Sequence, residues 1–260
     1  WYRKGLDHRV QALTSWAKAL EARADAITAA LADDTGRTRI SREELGAVIH
    51  FIHGYSDAAP EVLAQPFRKF SNNSDVVFKT TLIPYPVVGV ISPWNFPLVL
   101  SFIDAIPALL AGAAVVIKPS EVTPRFVVPL QESINDVPEL KGVITLLQGA
   151  AETGQALLST VDAIVFTGSV ATSRKIAVAA AERFIPAFLE LGGKDPAVVL
   201  AGSDIERAAT SILRSALYNT GQVCYAIERV YVDDSIHDAF VQELARQAQT
   251  LRRSLSAGDG

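Results

Sequence analysis

Hydrophobic and polar positions change rhythm three times along the chain. From Leu6 to Leu31 there is no Gly or Pro, Ala is frequent, and Gly36 punctuates the end, which predicts a helix. Ser41 and Glu44 stand at capping-box spacing and predict the start of a second helix within a helical first 60 residues. Between Pro66 and Pro86 the pattern turns polar and then β-branched (Asn72, Asn73, Ser74, Val76, Val77, Phe78, Thr80, Thr81), as expected of a β-ribbon or crossing segment. Beyond it, apolar runs at 87–91, 113–117, 143–147, 163–166 and 197–200 are too short for helices. Helical patterns separate them at about 98–111, 124–134, 172–182 and 204–218. Ser203 and Glu206 repeat the capping-box spacing ahead of the helix expected from Asp204. Strand alternating with helix in this way predicts an α/β fold, a parallel sheet with helices on both faces. Turn-like residues, Ser256 to Gly260, close the chain.

The segment 98–117 has the length of a bilayer span. Asp104, Pro107 and Gly112 interrupt it, and a buried helix running into a buried strand is the better expectation. Of the 260 residues 49% are hydrophobic and 20% charged, which excludes a disordered chain. At roughly 150 residues per domain the length suits one large domain or two small ones. Lys and Arg number 24 against 28 Asp and Glu, a net charge of −4 with no basic stripe. Neither nucleic acid nor an anionic membrane is therefore an expected partner. Cys224 is the only cysteine, which excludes an intrachain disulfide and suits a reducing compartment. With no basic, apolar and small-residue leader at its start, the chain is expected to be cytoplasmic. There is no Met and the first residue is Trp1, so this is not expected to be a native N-terminus.

In open α/β sheets ligands gather at the carboxyl ends of the strands. Four such places carry unusual residues. After 87–91 comes Ser92-Pro93-Trp94-Asn95-Phe96-Pro97, where two prolines fix the backbone around Asn95. Asn95 either satisfies a turn or aims an amide donor at a developing oxyanion. After 113–117 comes Lys118-Pro119-Ser120-Glu121, which suits either the hydroxyls of a ribose or a solvated turn. Phe166-Thr167-Gly168-Ser169 leads into a helix, whose N-terminus favours phosphate, although a single Gly with Ser is common in turns. The fourth place pairs Glu190-Leu191-Gly192-Gly193-Lys194 with Asn219-Thr220-Gly221-Gln222-Val223-Cys224. A lone Cys is either a small buried hydrophobe or, in a Gly-Gln turn such as this, an exposed nucleophile that a carboxylate base could serve. None of the four His residues lies near these places, which argues against a Cys–His protease and against a metal site.

Taken together, the five segments Pro93–Pro97, Lys118–Glu121, Phe166–Ser169, Glu190–Lys194 and Gly221–Cys224, with Arg229 following, resemble the aldehyde dehydrogenase superfamily in order and spacing. The resemblance runs from about Pro86 to Val232, and more loosely over the helical N-terminus. It implies a Rossmann-like parallel sheet with helices on both faces, then the opening of a truncated α/β catalytic domain. By this likeness residues 1–67 and 86–192 form the NAD-binding domain, 68–85 a β-ribbon for homodimer or homotetramer contacts, and 193–260 an incomplete catalytic domain. The implied activity is NAD(P)-dependent oxidation of an aldehyde to a carboxylic acid. Cys224 is the implied nucleophile, giving a thiohemiacetal and then a thioester as hydride passes to the nicotinamide ring. Asn95 and the Cys224 backbone N–H form the oxyanion hole, and Glu190 is the base that activates water. Trp94, Lys118, Ser120, Glu121, Gly168, Ser169, Leu191 and Gly192 are the implied cofactor contacts, with Glu121 favouring NAD over NADP. Ser173 departs from the second Gly that many family members carry. The alternatives are a CoA-acylating or phosphorylating relative and a non-catalytic nucleotide-binding protein of the same fold. Phe96, Leu100 and Ile103 share one helical face, which either packs into the core or, as the family's tunnel along this helix implies, forms with Val223 and Tyr225 part of an apolar funnel to Cys224. Such a funnel predicts a neutral aliphatic or aromatic aldehyde as substrate.

Overall fold

A computed structural model of the protein describes residues 1–64, 67–70, 73–79 and 81–252. The run free of Gly and Pro forms two helices rather than one, α1 (Leu6–Ala22) and α2 (Ala24–Thr35). The break falls at Arg23, whose backbone leaves the helical region (φ −110°, ψ 15°) while its guanidinium reaches Glu132 and Asp136, each at 2.6 Å. α2 ends at Gly36, as expected, and α3 (Thr38–Val62) follows. The expected capping box is not formed. Ser41 lies inside α3, and its hydroxyl donates back to the Arg37 carbonyl at 2.6 Å, a habit of hydroxyls within helices that leaves no capping role. Glu44 reaches out of α3 to another helix start.

The ribbon expected over 68–85 is an antiparallel pair, β1 (Phe67–Phe70) and β2 (Asn73–Lys79), and residues 81–86 form no strand. Residues 65–66, 71–72 and 80 lie outside the described residues, as do 253–260 with the turn-like close of the chain.

The alternating part then runs β3 (Val87–Ile91), α4 (Val99–Phe102), α5 (Ala105–Ala111), β4 (Ala114–Lys118), α6 (Val127–Asn135) and β5 (Ile144–Leu146). It continues through α7 (Ala151–Leu158), β6 (Ala163–Gly168), α8 (Val170–Glu182) and β7 (Ala187–Leu191). The five strands form one parallel sheet in the order β5-β4-β3-β6-β7. The helix expected over 98–111 is divided at Ile103 and Asp104, and α7 and β7 were not predicted. β7 is an edge strand that exposes Phe188 and Glu190, so its apolar positions alternate instead of running together.

Helices cover both faces of this sheet. Val88, Val90, Val115, Ile117 and Val165 share one core with Leu13, Trp16, Ile106 and Leu130 of α1, α5 and α6. Ile164 and Phe166 point the other way and meet Leu157 of α7 and Ile176 of α8. Trp16 is fully buried against Phe102, with ring centroids 4.9 Å apart, and its Nε1 donates to the Ser133 hydroxyl at 3.0 Å. The indole thus contributes apolar burial without leaving a polar atom unpaired.

β8 (Asp195–Val199) and β9 (Ile227–Val232) pair in parallel as a separate two-stranded sheet. α9 (Ile205–Leu217) and α10 (His237–Gln249) back it through Ala209, Ile212 and Phe240 around Val199. The apolar run at 197–200 therefore leaves the main sheet. α9 is capped by Asp204, not Ser203: the Asp204 carboxylate accepts from the Arg207 N–H at 3.0 Å. Only the residue next to the first helical turn brings its side chain to that orphan donor. Among the described residues no helix is long and apolar enough to cross a membrane.

Candidate active site

Parallel strands deliver all their carboxyl ends to one edge of a sheet, and the register makes this concrete. Ile91 of β3 pairs with Lys118 of β4 on one side and Phe166 of β6 on the other, and Gly168 pairs with Leu191 of β7. The segments beginning at Ser92, Lys118, Gly168 and Leu191 therefore emerge side by side. Lys118 is buried, and its Nζ donates to the Glu121 carboxylate at 3.0 Å and to the Pro119 carbonyl at 3.1 Å. The Glu121 carboxyl is held below its ordinary pKa, first by its own backbone N–H and then by the Lys118 ammonium. Ser120 accepts from the Val122 N–H at 3.2 Å, and Trp94 is 42% exposed on the loop after β3. Ser169 caps α8, accepting from the Thr172 N–H at 3.3 Å. Gly168 has no room for a side chain, since a Cβ there would lie 2.6 Å from the Phe166 ring. Ser173 sits buried within α8, its hydroxyl donating to the Val170 carbonyl at 3.0 Å, so the helix accommodates it without a break.

The thiol lies on a differently built segment. Past α9 the backbone turns left-handed at three successive residues, Asn219 (φ 53°), Thr220 (φ 55°) and Gly221 (φ 79°). Only the last is a residue for which that conformation is free of steric cost. The turn brings Cys224 to the surface, exposed, and its carbonyl accepts from the Gly193 N–H at 3.2 Å. The segments carrying Glu190 and Cys224 are thereby tied through their backbones. Asn95 donates from Nδ2 to the Gln222 carbonyl at 2.8 Å, while its Oδ1 is buried without a partner. Asn95 and Cys224 line one cavity of about 360 Å³, together with Phe96, Leu100, Ile103, Val223 and Tyr225, the five residues expected as an apolar funnel.

Glu190 stands apart from that cavity. It is exposed and lines a second, larger one of about 660 Å³, shared with Asp104. The Asp104 carboxyl is raised above its ordinary pKa by burial first and by the Glu190 charge second.

Three polar residues near Asn95 escape sequence reasoning. Arg37 donates from Nη1 to the Asn95 carbonyl at 2.8 Å and to the Asn219 Oδ1. Asn219 returns two bonds from Nδ2, to the carbonyls of Asn95 and Gln222, each at 3.2 Å. Glu44 is buried, and its Oε2 accepts from the N–H groups of Leu98 (3.0 Å) and Val99 (3.2 Å), the orphan donors where α4 begins. Burial pushes its carboxyl up to about 7, against the opposing pull of the Val99 N–H and of Arg37. A signal for Glu44 exists in the sequence: it falls between Ile40 and Val48 on the four-residue spacing of the buried face of α3. Asn219 opens the stretch that ends at Cys224 but is given no role by it, and nothing comparable marks Arg37.

The aldehyde dehydrogenase family model matches residues 1–257. A protein provisionally named a succinate-semialdehyde dehydrogenase using NADP(+), from Mycolicibacterium smegmatis, is 35% identical over 223 residues, 84% of this chain and 43% of its own. The structure of the provisionally assigned aldehyde dehydrogenase PutA from Anabaena variabilis superposes with a TM-score of 0.94 at 48% identity, over 97% of this chain and 54% of its own. Betaine aldehyde dehydrogenase from Staphylococcus aureus, solved with NAD+, superposes with a TM-score of 0.91 at 28% identity, over 100% of this chain and 52% of its own. The chain thus spans about half the length of these relatives. With a matching sheet, matching helices and a family model that extends over nearly all its residues, the chain belongs to the aldehyde dehydrogenase family.

Proposed function

We propose that the protein oxidises a neutral aliphatic or aromatic aldehyde to the carboxylic acid, with Cys224 as nucleophile. The observation that carries this reading is the cavity shared by Cys224 and Asn95, two residues far apart in sequence. Cys224 Sγ adds to the aldehyde carbon, and the Asn95 amide and the Cys224 backbone N–H stabilise the oxyanion that develops. In the structure one N–H of that amide donates to the Gln222 carbonyl, which fixes the side chain and leaves its second N–H for the oxyanion. Once hydride has left for the bound dinucleotide, the thioester on Cys224 is hydrolysed by water; the family likeness gives the deprotonation of that water to Glu190, which lines the neighbouring cavity and would have to reach the thioester from there.

The sheet edge fits a nicotinamide dinucleotide. Lys118 and Glu121 form a paired cation and carboxylate suited to a ribose, and the N-terminus of α8 offers its donors to phosphate. Trp94, Ser120, Gly168, Ser169, Leu191 and Gly192 stand on the same edge or the loops beside it. When bound, the dinucleotide supplies the hydride acceptor. The exposed Glu121 carboxylate would repel a 2′-phosphate, which favours NAD. In this reading the five-stranded unit holds the cofactor, β1 and β2 serve subunit contacts, and residues 193–260 open the catalytic part.

The cavity lining carries two carboxylates, Glu43 and Glu44, and no Lys, Arg or His. An aldehyde bearing its own carboxylate would find no cationic partner there, and two carboxyl groups instead. The test is NADH release from hexanal, benzaldehyde and succinic semialdehyde, with NADP as the comparison cofactor. Cys224→Ala should abolish it, and Glu190→Gln should retain a single burst. Normal turnover by Glu190→Gln would remove the base assignment; a preference for succinic semialdehyde or for NADP would remove the corresponding specificity.

A further inference from the structure

We propose that Arg37 is a positioning residue that holds the oxyanion donor in register with the nucleophile, with Glu44 as its buried counter-charge. The inference rests on the roles given above to Cys224 and Asn95.

Three stretches of chain meet at this guanidinium: the start of α3, the loop after β3 and the left-handed turn before Cys224. Arg37 bonds the carbonyl of Asn95 and the side chain of Asn219, and lies 5.6 Å from the Phe96 ring centroid. Asn219 closes the circuit by donating to Asn95 and to Gln222, two residues before the thiol. The backbone bearing the amide donor and the backbone bearing the nucleophile are therefore fastened to one planar cation. Both bonds leave one nitrogen, Nη1, whose two hydrogens lie in the guanidinium plane and point in fixed directions, whereas those of an ammonium rotate freely.

Glu44 supports the arrangement from below. Its carboxylate caps α4 through Leu98 and Val99 and faces Arg37 Nη2 at 3.8 Å. Arg37 Nε and Glu44 Oε1 have no hydrogen-bond partner, so charge rather than a hydrogen bond joins the pair. Side-chain exposure is 14% for Arg37 and 1% for Glu44. Two charges taken out of water are a costly way to gain stability, since apolar residues of similar volume do as well or better. What the pair supplies is geometry. Asn219 and Thr220 sit in backbone conformations that persist only where the surroundings over-determine them, and Arg37 is the side chain that grips Asn219 from outside its own loop.

Arg37→Met tests this with two readouts. In aldehyde oxidation, kcat should fall about 10- to 100-fold while the aldehyde KM changes little, because the loss is one of alignment rather than of substrate contact. Arg37→Lys, which keeps the charge but not the planar pair of N–H donors, should regain part of the loss. Independently of turnover, the rate at which iodoacetamide alkylates Cys224, followed by intact mass, should rise several-fold in Arg37→Met as the loop loosens. Arg37→Lys carries the same readout if the Met variant does not fold. Rates within about twofold of the parent in both measurements would overturn the proposal. The outcomes separate the two readings. Undiminished turnover by Asn95→Ala and Cys224→Ala would sink the site assignment, whereas a slow Asn95→Ala beside an unchanged Arg37→Met would sink the role of Arg37 alone.

Discussion

Glu44 is the residue at which sequence appearance and physical state diverge most. At capping-box spacing from Ser41 it reads as a residue of a helix start, yet it is buried beneath α4 with its carboxyl at about 7. Its pKa in the folded chain lies above the ordinary carboxylate value of 4.5. Between those two values the folded state holds a proton that the unfolded state has released. Stability therefore falls as pH rises through that window, and the full cost, on the order of 3 kcal/mol, is present above the folded pKa. Glu44→Gln stays neutral while keeping an acceptor for Leu98 and Val99. It should gain on the parent as pH rises from about 5 to about 8, and urea unfolding at both ends of that range would show this. Equal pH slopes for the two proteins would mean that Glu44 does not carry the proton. Asn95 and Cys224, by contrast, were legible because short motifs of unusual composition surround them. Arg37 and Asn219 were not, since their roles exist only where distant segments meet.

At the scale of elements, the sequence was most readable where burial is complete. β3, β4 and β6 lie close to the expected runs because a central parallel strand is apolar on both faces, and β5, though an edge strand, falls within its expected run. β7 and β9, whose exposed and half-buried positions alternate, leave no such run, and neither was predicted. The capping boxes failed for a common reason: spacing alone does not say which polar residue adjoins the first turn. That correction can be checked at α9. Asp204→Ala should cost about 1 kcal/mol, the usual loss for an N-cap, whereas Ser203→Ala should change stability by no more than a few tenths. Comparable losses from both would restore Ser203 as a capping residue. Urea denaturation of the two variants decides it.

For the whole molecule, the alternation of runs and helices was enough for an α/β architecture but not for the allocation of strands to sheets. An apolar run reads the same whether it joins β3 or starts anew, and β8 starts anew. The main sheet has helices on both faces, but β8 and β9 form a sheet of two, each strand with one side of its backbone unpaired by the other described strands. Val198, Leu200 and Tyr231 are exposed there. Such a ribbon is a template: a further strand, whether of the same polypeptide or of another molecule, can lie along it and have its own amide groups satisfied in return. Its colloidal behaviour should then depend on concentration more steeply than a net charge of −4 alone would suggest. A lysine at position 198 should lower light scattering at high protein concentration while leaving the unfolding midpoint nearly unchanged, because a charge on an open edge repels an incoming strand long before it disturbs the one already paired.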